Sequence, residues 1–207
     1  MANTNAPFGM RPVRYASGAP YNGAVQPYYI PSSYATALYI GDPVIKTGTA
    51  NTAGVTVPGA GFFDIGTMPE INKATVGTTN KITGAIVGFA TLVSDLSKQY
   101  NPASTERVAY VADDPDLVFE MQADGAIAAV DIGLNAVLIY TQSGSTITGM
   151  SGAELDTGTT TAPATTVGFQ LKILRAVNRP DVDTTLTRSK VLVRINNHSE
   201  SNAVVGF

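Results

Sequence analysis

Residues 117–123, LVFEMQA, alternate apolar and polar side chains, and the same period of two recurs in residues 167–176, VGFQLKILRA, and 189–196, SKVLVRIN. Such alternation is typical of a β-strand that buries one face and turns the other toward water. Gly, Asn, Pro and Thr separate these stretches and favour turns. Three further stretches have strand character: 82–93, 107–111 and 136–140. The sequence therefore predicts many short strands in an antiparallel barrel or sandwich.

Helical signals are weak throughout the chain. No window of a dozen residues keeps the apolar spacing of three and four residues that an amphipathic helix requires without Gly, Pro or a β-branched run. Residues 92–99 have room for one or two helical turns. The predicted fold class is therefore all-β, an antiparallel β-barrel or sandwich with little helix.

Composition narrows the class of protein. The chain has 207 residues, of which 14% are charged and none is Cys, and its formal net charge is -3. The absence of Cys excludes disulfide scaffolds and thiolate catalysis. A weakly acidic chain is not expected to bind nucleic acid directly, and the lack of a long apolar run predicts no membrane span. Residues 1–5 have neither a cationic start nor an apolar stretch, so we expect a protein made in the cytoplasm.

The first 41 residues differ from the rest of the chain. They contain no Asp or Glu, and their only charges are Arg11 and Arg14, yet they hold five of the 12 prolines and six of the nine tyrosines. Because the proline spacing blocks regular helix, we predict that residues 1–41 form an extended arm on a β domain of residues 42–207. Tyr and Arg enrichment is typical of interface cores, which favours docking on other chains. The alternative is a segment wrapped over its own domain.

Residues 142–166 consist almost entirely of Thr, Gly, Ser and Ala. This composition predicts a long exposed loop or a loosely packed hairpin, where outward contacts can occur.

Residues that could support catalysis are few. The only histidine, His198, lies in a polar stretch without a partner motif, and we expect a surface or interface residue. Asp156 begins the Asp-Thr-Gly tripeptide of aspartic proteases, but that chemistry needs a second carboxylate to share a proton. Residues 113–116, DDPD, predict a turn, with an adventitious cation site as the alternative. We predict no catalytic residue, no metal site and no cofactor.

A basic window covers residues 172–194, which hold six of the 13 Lys and Arg residues: Lys172, Arg175, Arg179, Arg188, Lys190 and Arg194. Such a patch can meet an acidic protein surface, which we favour, or nucleic acid.

Three parts of the chain resemble the head decoration, or cement, proteins of tailed bacteriophages. The first is residues 6–14, 20–23 and 28–31 (APFGMRPVR, PYNG and YYIP). The second is residues 110–120 (YVADDPDLVFE), and the third is residues 177–181 and 190–198 (VNRPD and KVLVRINNH). These parts occur in the same order as in that family.

The resemblance implies a compact β-barrel-like domain, often trimeric, bound in many copies to the outside of an icosahedral head, with an arm that joins neighbouring capsid subunits. The expected partners are the major capsid protein and neighbouring copies in a homotrimer, on the outer surface of the virion and without contact to nucleic acid or membrane. Arginines are expected to pair with capsid acids and rings to enter apolar pockets. The predicted contact residues are Phe8, Arg11, Arg14, Tyr15, Tyr21, Tyr28 and Tyr29.

Two other classes of protein stay open. A tail-tube protein is also a β-barrel of this size, which closes hexameric rings and could use residues 142–166 between rings. A carbohydrate- or receptor-binding module would present exposed aromatic side chains on a rigid face. An enzyme is the least favoured class.

Overall fold

A computed structural model describes residues 3–201 and confirms the all-β fold class. Within this range the one helical element is a 3₁₀ turn at Ala129–Asp131, and residues 92–99 form only turns and bends. Each of the six stretches predicted as strands contains strand structure. In chain order the strands are β1 (Arg11–Tyr15), β2 (Gln26–Ile30), β3 (Pro43–Ala50), β4 (Val55–Val57), β5 (Gly61–Phe63), β6 (Pro69–Lys73), β7 (Gly84–Phe89), β8 (Arg107–Ala112), β9 (Leu117–Gln122), β10 (Asn135–Ala136), β11 (Leu138–Ile139), β12 (Glu154–Leu155), β13 (Leu171–Ala176) and β14 (Lys190–Ile195).

Two main sheets organise these strands. Strands β2, β6, β3, β7 and β8 form a closed barrel, and an antiparallel sheet has the order β1-β9-β14-β13-β10. The alternating residues of β9, β13 and β14 place Phe119, Ile173 and Val193 on the inner face of this sheet. There they pack with Ile82 and Ala85, which border or belong to barrel strand β7, so the main core joins the sheet to the barrel.

The N-terminal segment belongs to both sheets. Residues 1–41 are predicted to form an extended arm that docks on other chains, with a segment wrapped over its own domain as the alternative. The structure has the second arrangement: β1 pairs with β9, and β2 pairs with both β8 and β6, so that β2 closes the barrel. The physical reason is apolar burial: Met10, Ile30 and Leu38 are fully buried within this one chain. The segment is extended, as predicted, but much of its apolar surface is buried against the rest of the same chain.

A close backbone crossing holds the segment in place. The Met10 N–H donates to the Gly41 carbonyl at 2.8 Å, and the Gly41 N–H donates to the Ile86 carbonyl of β7 at 2.7 Å. Both Gly9 and Gly41 have positive φ, at 70° and 89°. A Cβ on Gly9 would lie 2.1 Å from the Gly41 oxygen, so only glycine permits this approach.

Residues 142–166 divide into exposed and buried parts. Exposure is high near Ile147 and again over residues 158–160, but residues 151–156 are buried, whereas the sequence predicts a long exposed loop or a loosely packed hairpin throughout. Leu155 enters the main core, and the adjacent Glu154 pairs with Arg188 at 2.9 Å. This Thr/Gly-rich stretch therefore contains a short buried strand, β12, which its composition does not predict.

No helix within residues 3–201 is long and apolar enough to cross a membrane.

We predict that Gly9→Ala lowers the free energy of unfolding by at least about 3 kcal/mol, because the methyl group meets a fixed backbone oxygen and φ becomes strained. Gly18→Ala is the matched control, since Gly18 also has positive φ (95°) but no atom within 4 Å of its added Cβ. Its loss is expected to be about 1–2 kcal/mol, from strain alone. Urea unfolding of both variants measures the difference; equal losses would contradict the crossing as the cause.

Candidate interaction surface

One side of the five-stranded sheet carries a dense group of cations. Strand register places Arg11, Glu120, Leu192 and Arg175 in one row across β1, β9, β14 and β13. The next row contains Arg14, Val118, Arg194 and Lys172. The side chains of these two rows, with Lys190, alternate with the core residues and define what we call the outer face.

The outer face of β9 is buried, although its alternation predicts side chains nearer water. Glu120 is 4% exposed and Gln122 is fully buried. The Gln122 side chain accepts a hydrogen bond from the Ala6 N–H at 3.1 Å and donates one to Glu154 at 2.7 Å. Because these partners come from distant parts of the chain, the local sequence pattern does not reveal that β9 is covered on both sides.

Glu120 is held between two arginines. Its Oε2 lies 3.0 Å from the Arg11 guanidinium, and its Oε1 lies 2.8 Å from that of Arg179. A carboxylate that is 5% exposed needs such charge-assisted hydrogen bonds to balance its desolvation. Arg179 also pairs with Asp181, whose other oxygen is 3.0 Å from Lys190 Nζ. Hydrogen bonds from Arg179 and Lys190 hold the pKa of Asp181 below its ordinary value, with that from Lys190 the larger cause.

Three cations on the outer face remain unneutralised. Arg194 pairs with Asp116, but among the described residues Arg14, Lys172 and Arg175 make no ion pair with an acidic side chain. The Nε of Arg14 is buried and has no hydrogen-bond partner in the described structure. These three side chains are the part of the basic surface that is free to attract an external anion.

A groove of about 400 Å³ crosses the outer face between β1 and β13. Arg14 stands on one side and Arg175 on the other, with Glu120 and Leu192 between them. Val13 and Val177 contribute apolar wall. We call this feature the β1/β13 groove.

Both edges of this sheet are occupied. Along β1, the Tyr15 N–H donates to the Ala19 carbonyl at 2.8 Å, and Tyr21 N–H donates to the Val13 carbonyl at 3.2 Å. Along β10, Asn135 and Ala164 exchange backbone hydrogen bonds of 2.8 and 2.9 Å. Backbone groups along β1 and β10 are therefore paired within the protein, which favours contact of a partner with side chains of the outer face.

The predicted aromatic contacts are largely engaged within the protein. Tyr28 is 3% exposed and donates its hydroxyl to Asp113 at 2.7 Å. Tyr15 and Tyr21 pack against the main core with ring centroids 6.5 Å apart. Tyr29 packs in a smaller cluster with Val57, and burial beside the Glu106 charge raises its pKa to about 12.

The other three predicted contact residues lie at or near the outer face. Arg11 and Arg14 are part of it, and Phe8 lies under the Arg11 guanidinium, 4.8 Å from ring centroid to Cζ. The structure therefore brings the two arginines together with the basic window of residues 172–194. The sequence contains both signals, but only the strand order shows that they share one surface.

The residues considered for chemistry have structural partners. Asp156 is fully buried and accepts backbone N–H groups, including those of Gly158 at 2.9 Å and Thr161 at 2.7 Å, which close its own loop. Asp114 accepts the Asp116 N–H at 2.7 Å, which forms the predicted turn. No cluster of three or more His, Cys, Asp or Glu side chains suited to a metal ion occurs within residues 3–201.

His198 is buried within this chain, whereas the sequence predicts a surface or interface residue. It is 1% exposed, forms a β-bridge with Ile82, and its Nδ1 accepts the Glu200 N–H at 2.9 Å. This hydrogen bond requires an unprotonated Nδ1. Burial lowers the pKa of the imidazole, against the opposing charges of Glu200 and Asp113.

No protein-family model matches this chain, and neither a curated protein nor a solved structure does.

We predict that Glu120→Gln lowers the free energy of unfolding by about 1–2 kcal/mol, because a neutral amide cannot accept from both guanidinium groups. The matched control is Asp116→Asn on the same sheet side. Asp116 is 66% exposed where it meets Arg194, so its loss is expected to stay below about 0.5 kcal/mol. Denaturant midpoints measure the loss of stability in both variants. Equal losses would show that the buried Glu120 pairs contribute no more to stability than the exposed Asp116 pair.

We predict that the His198 imidazole titrates below its ordinary value of 6.5, as followed by its NMR resonances; no other histidine overlaps them. Because the folded pKa is depressed, stability from the neutral imidazole is present above pH 6.5 and is lost as pH falls through the folded pKa. His198→Gln should remove this part of the pH dependence of unfolding. Titration at or above 6.5 would contradict burial of the ring.

Proposed function

We propose that this chain is a structural protein of a tailed-bacteriophage virion, a decoration or cement protein. In this proposal it binds in many copies to the outer surface of the icosahedral head. It bridges subunits of the major capsid protein and assembles with neighbouring copies of itself as a homotrimer. It carries no cofactor, and its function is binding rather than catalysis.

One observation carries the proposal. The three parts of the sequence that resemble decoration proteins are far apart in the chain, yet they contain β1, β9 and β14, which are consecutive strands of one sheet. Their outward side chains include Arg11, Arg14 and Arg194. Parts of all three stretches thus meet in one sheet, and their outward arginines share its outer face, which supports a role in binding.

The surface is suited to contact with acidic protein. Free cations at Arg14, Lys172 and Arg175 attract carboxylates, while the occupied sheet edges disfavour strand addition. A contact of this kind gives modest binding free energy per copy. Many copies on a symmetric shell, each spanning two capsid subunits, add resistance to bursting from within.

Binding to heads is the decisive test. Purified protein, added to heads of the encoding phage that lack it, is expected to bind in a fixed ratio to the major capsid protein, on the order of hundreds of copies per head. The heated heads should then release DNA at a higher temperature. Quantitative gel analysis after sedimentation gives the ratio, and heads without added protein and separated tails are the controls.

Deletion of the N-terminal segment is not a clean version of this test, because β2 closes the barrel and its loss would unfold the protein. Absence of binding to heads would overturn the proposal. Assembly into hexameric rings, with incorporation into tails, would instead identify a tail-tube protein.

A further inference from the structure

We propose that the β1/β13 groove is a carboxylate-binding site, in which Arg14 and Arg175 bind an Asp or Glu side chain of a partner protein. If the partner is the capsid, this inference rests on the proposed function and names the chemistry of the partner surface. Binding of a carboxylate to the groove is a property of the isolated protein and can be tested without heads.

The two arginines line opposite sides of one groove and belong to neighbouring rows of the outer face. Arg14 lies opposite Val118 on β9, and Arg175 lies opposite Leu192 on β14, so two strands separate them. The groove of about 400 Å³ between them has room for an acidic side chain together with part of its backbone. Ordered strands fix the positions of both residues, which lowers the entropy lost when a ligand is bound.

The internal acids do not neutralise this pair. Glu120 lies in the groove, but its two oxygens are occupied by Arg11 at 3.0 Å and Arg179 at 2.8 Å. Among the residues that the structure describes, the Arg14 Nε–H is a buried donor without an acceptor, and Arg175 is exposed without an acidic partner. The guanidinium groups of Arg14 and Arg175 therefore have no internal carboxylate as a partner in the described part of the chain, and a carboxylate that enters the groove would pair with them through charge-assisted hydrogen bonds.

The surroundings favour a protein carboxylate over a nucleic acid. A phosphate backbone laid along the outer face would pass the carboxylates of Glu120, Asp116 and Asp181. Within residues 3–201 no aromatic side chain lines the groove, so bases would find no stacking surface among them. A single carboxylate entering between Arg14 and Arg175 meets only Glu120, whose charge is already paired with Arg11 and Arg179, and it gains the apolar contacts of Val13 and Val177.

The test uses a hexaglutamate peptide and the full-length protein at low salt, with binding measured by calorimetry and by the NMR signals of the arginine Nε–H groups. The variants are Arg14→Gln and Arg175→Gln. Lys172→Gln is the matched control, because Lys172 is an equally free cation of the outer face that does not line the groove. Circular dichroism and thermal unfolding check that each variant is folded.

Each groove variant is expected to weaken hexaglutamate binding about tenfold, and the Lys172 control less than about twofold. The Arg14 Nε–H signal should shift on titration. Equal losses in all three variants would overturn the proposal in favour of nonspecific charge attraction, as would absence of binding by the unaltered protein. Tighter binding of a twelve-nucleotide oligothymidylate that depends on the same two arginines would overturn it in favour of nucleic acid.

Sedimentation with heads separates this inference from the proposed function. If the unaltered protein and both groove variants bind heads equally, the groove is not the capsid contact, although the decoration function stands. If hexaglutamate binds through Arg14 and Arg175 but heads do not bind the protein, the decoration function fails and the carboxylate site remains.

Discussion

The backbone crossing of Gly9 and Gly41 is the constraint on which the rest of the structure depends. It links the residue before Met10 to the segment that enters β3, and through Ile86 to the barrel wall. Because the crossing fixes the start of β1, it also fixes the register in which Arg11 meets Glu120 on β9. A displacement of β1 would open the barrel-to-sheet core on one side and separate the arginines from the outer face on the other.

Most charged side chains on the outer face form ion pairs within the protein, and only a few remain available for contact with a partner. Glu120 organises Arg11 and Arg179, and Asp181 extends that group to Lys190. These ion pairs hold the side chains of Arg11, Arg179 and Lys190 in defined positions on the outer face, whereas unpaired surface cations sample many rotamers. The unpaired Arg14 and Arg175 therefore stand beside an ordered ionic network, and their separation is set by strand register.

The fold class follows from the sequence because alternation is a local property, visible in β9, β13 and β14 without knowledge of neighbours. The path of the N-terminal segment does not follow, since proline and tyrosine content reports extended backbone but not which surface covers it. Among 20 glycines, nothing in the sequence distinguishes Gly9 and Gly41, whose role arises from a contact 32 residues apart. The outer face was equally hidden: Arg11 and residues 172–194 are recognisable separately, and only the order β1-β9-β14-β13 joins them.

A binding surface held on a sheet differs physically from the same residues on a free arm. An arm loses backbone and side-chain entropy for every residue that becomes ordered on docking, whereas Arg11 and Arg14 are already placed by pairing of β1 with β9. Fewer contacts then suffice for the same affinity. An uncovered edge strand can pair with the edge of another copy, and the return of the chain through Ala19, Pro20 and Tyr21 covers the β1 edge with backbone that includes a proline. In the proposed function, contact through the face and pairing of the edge strands would act together, because both leave side chains of the outer face as the means of attachment.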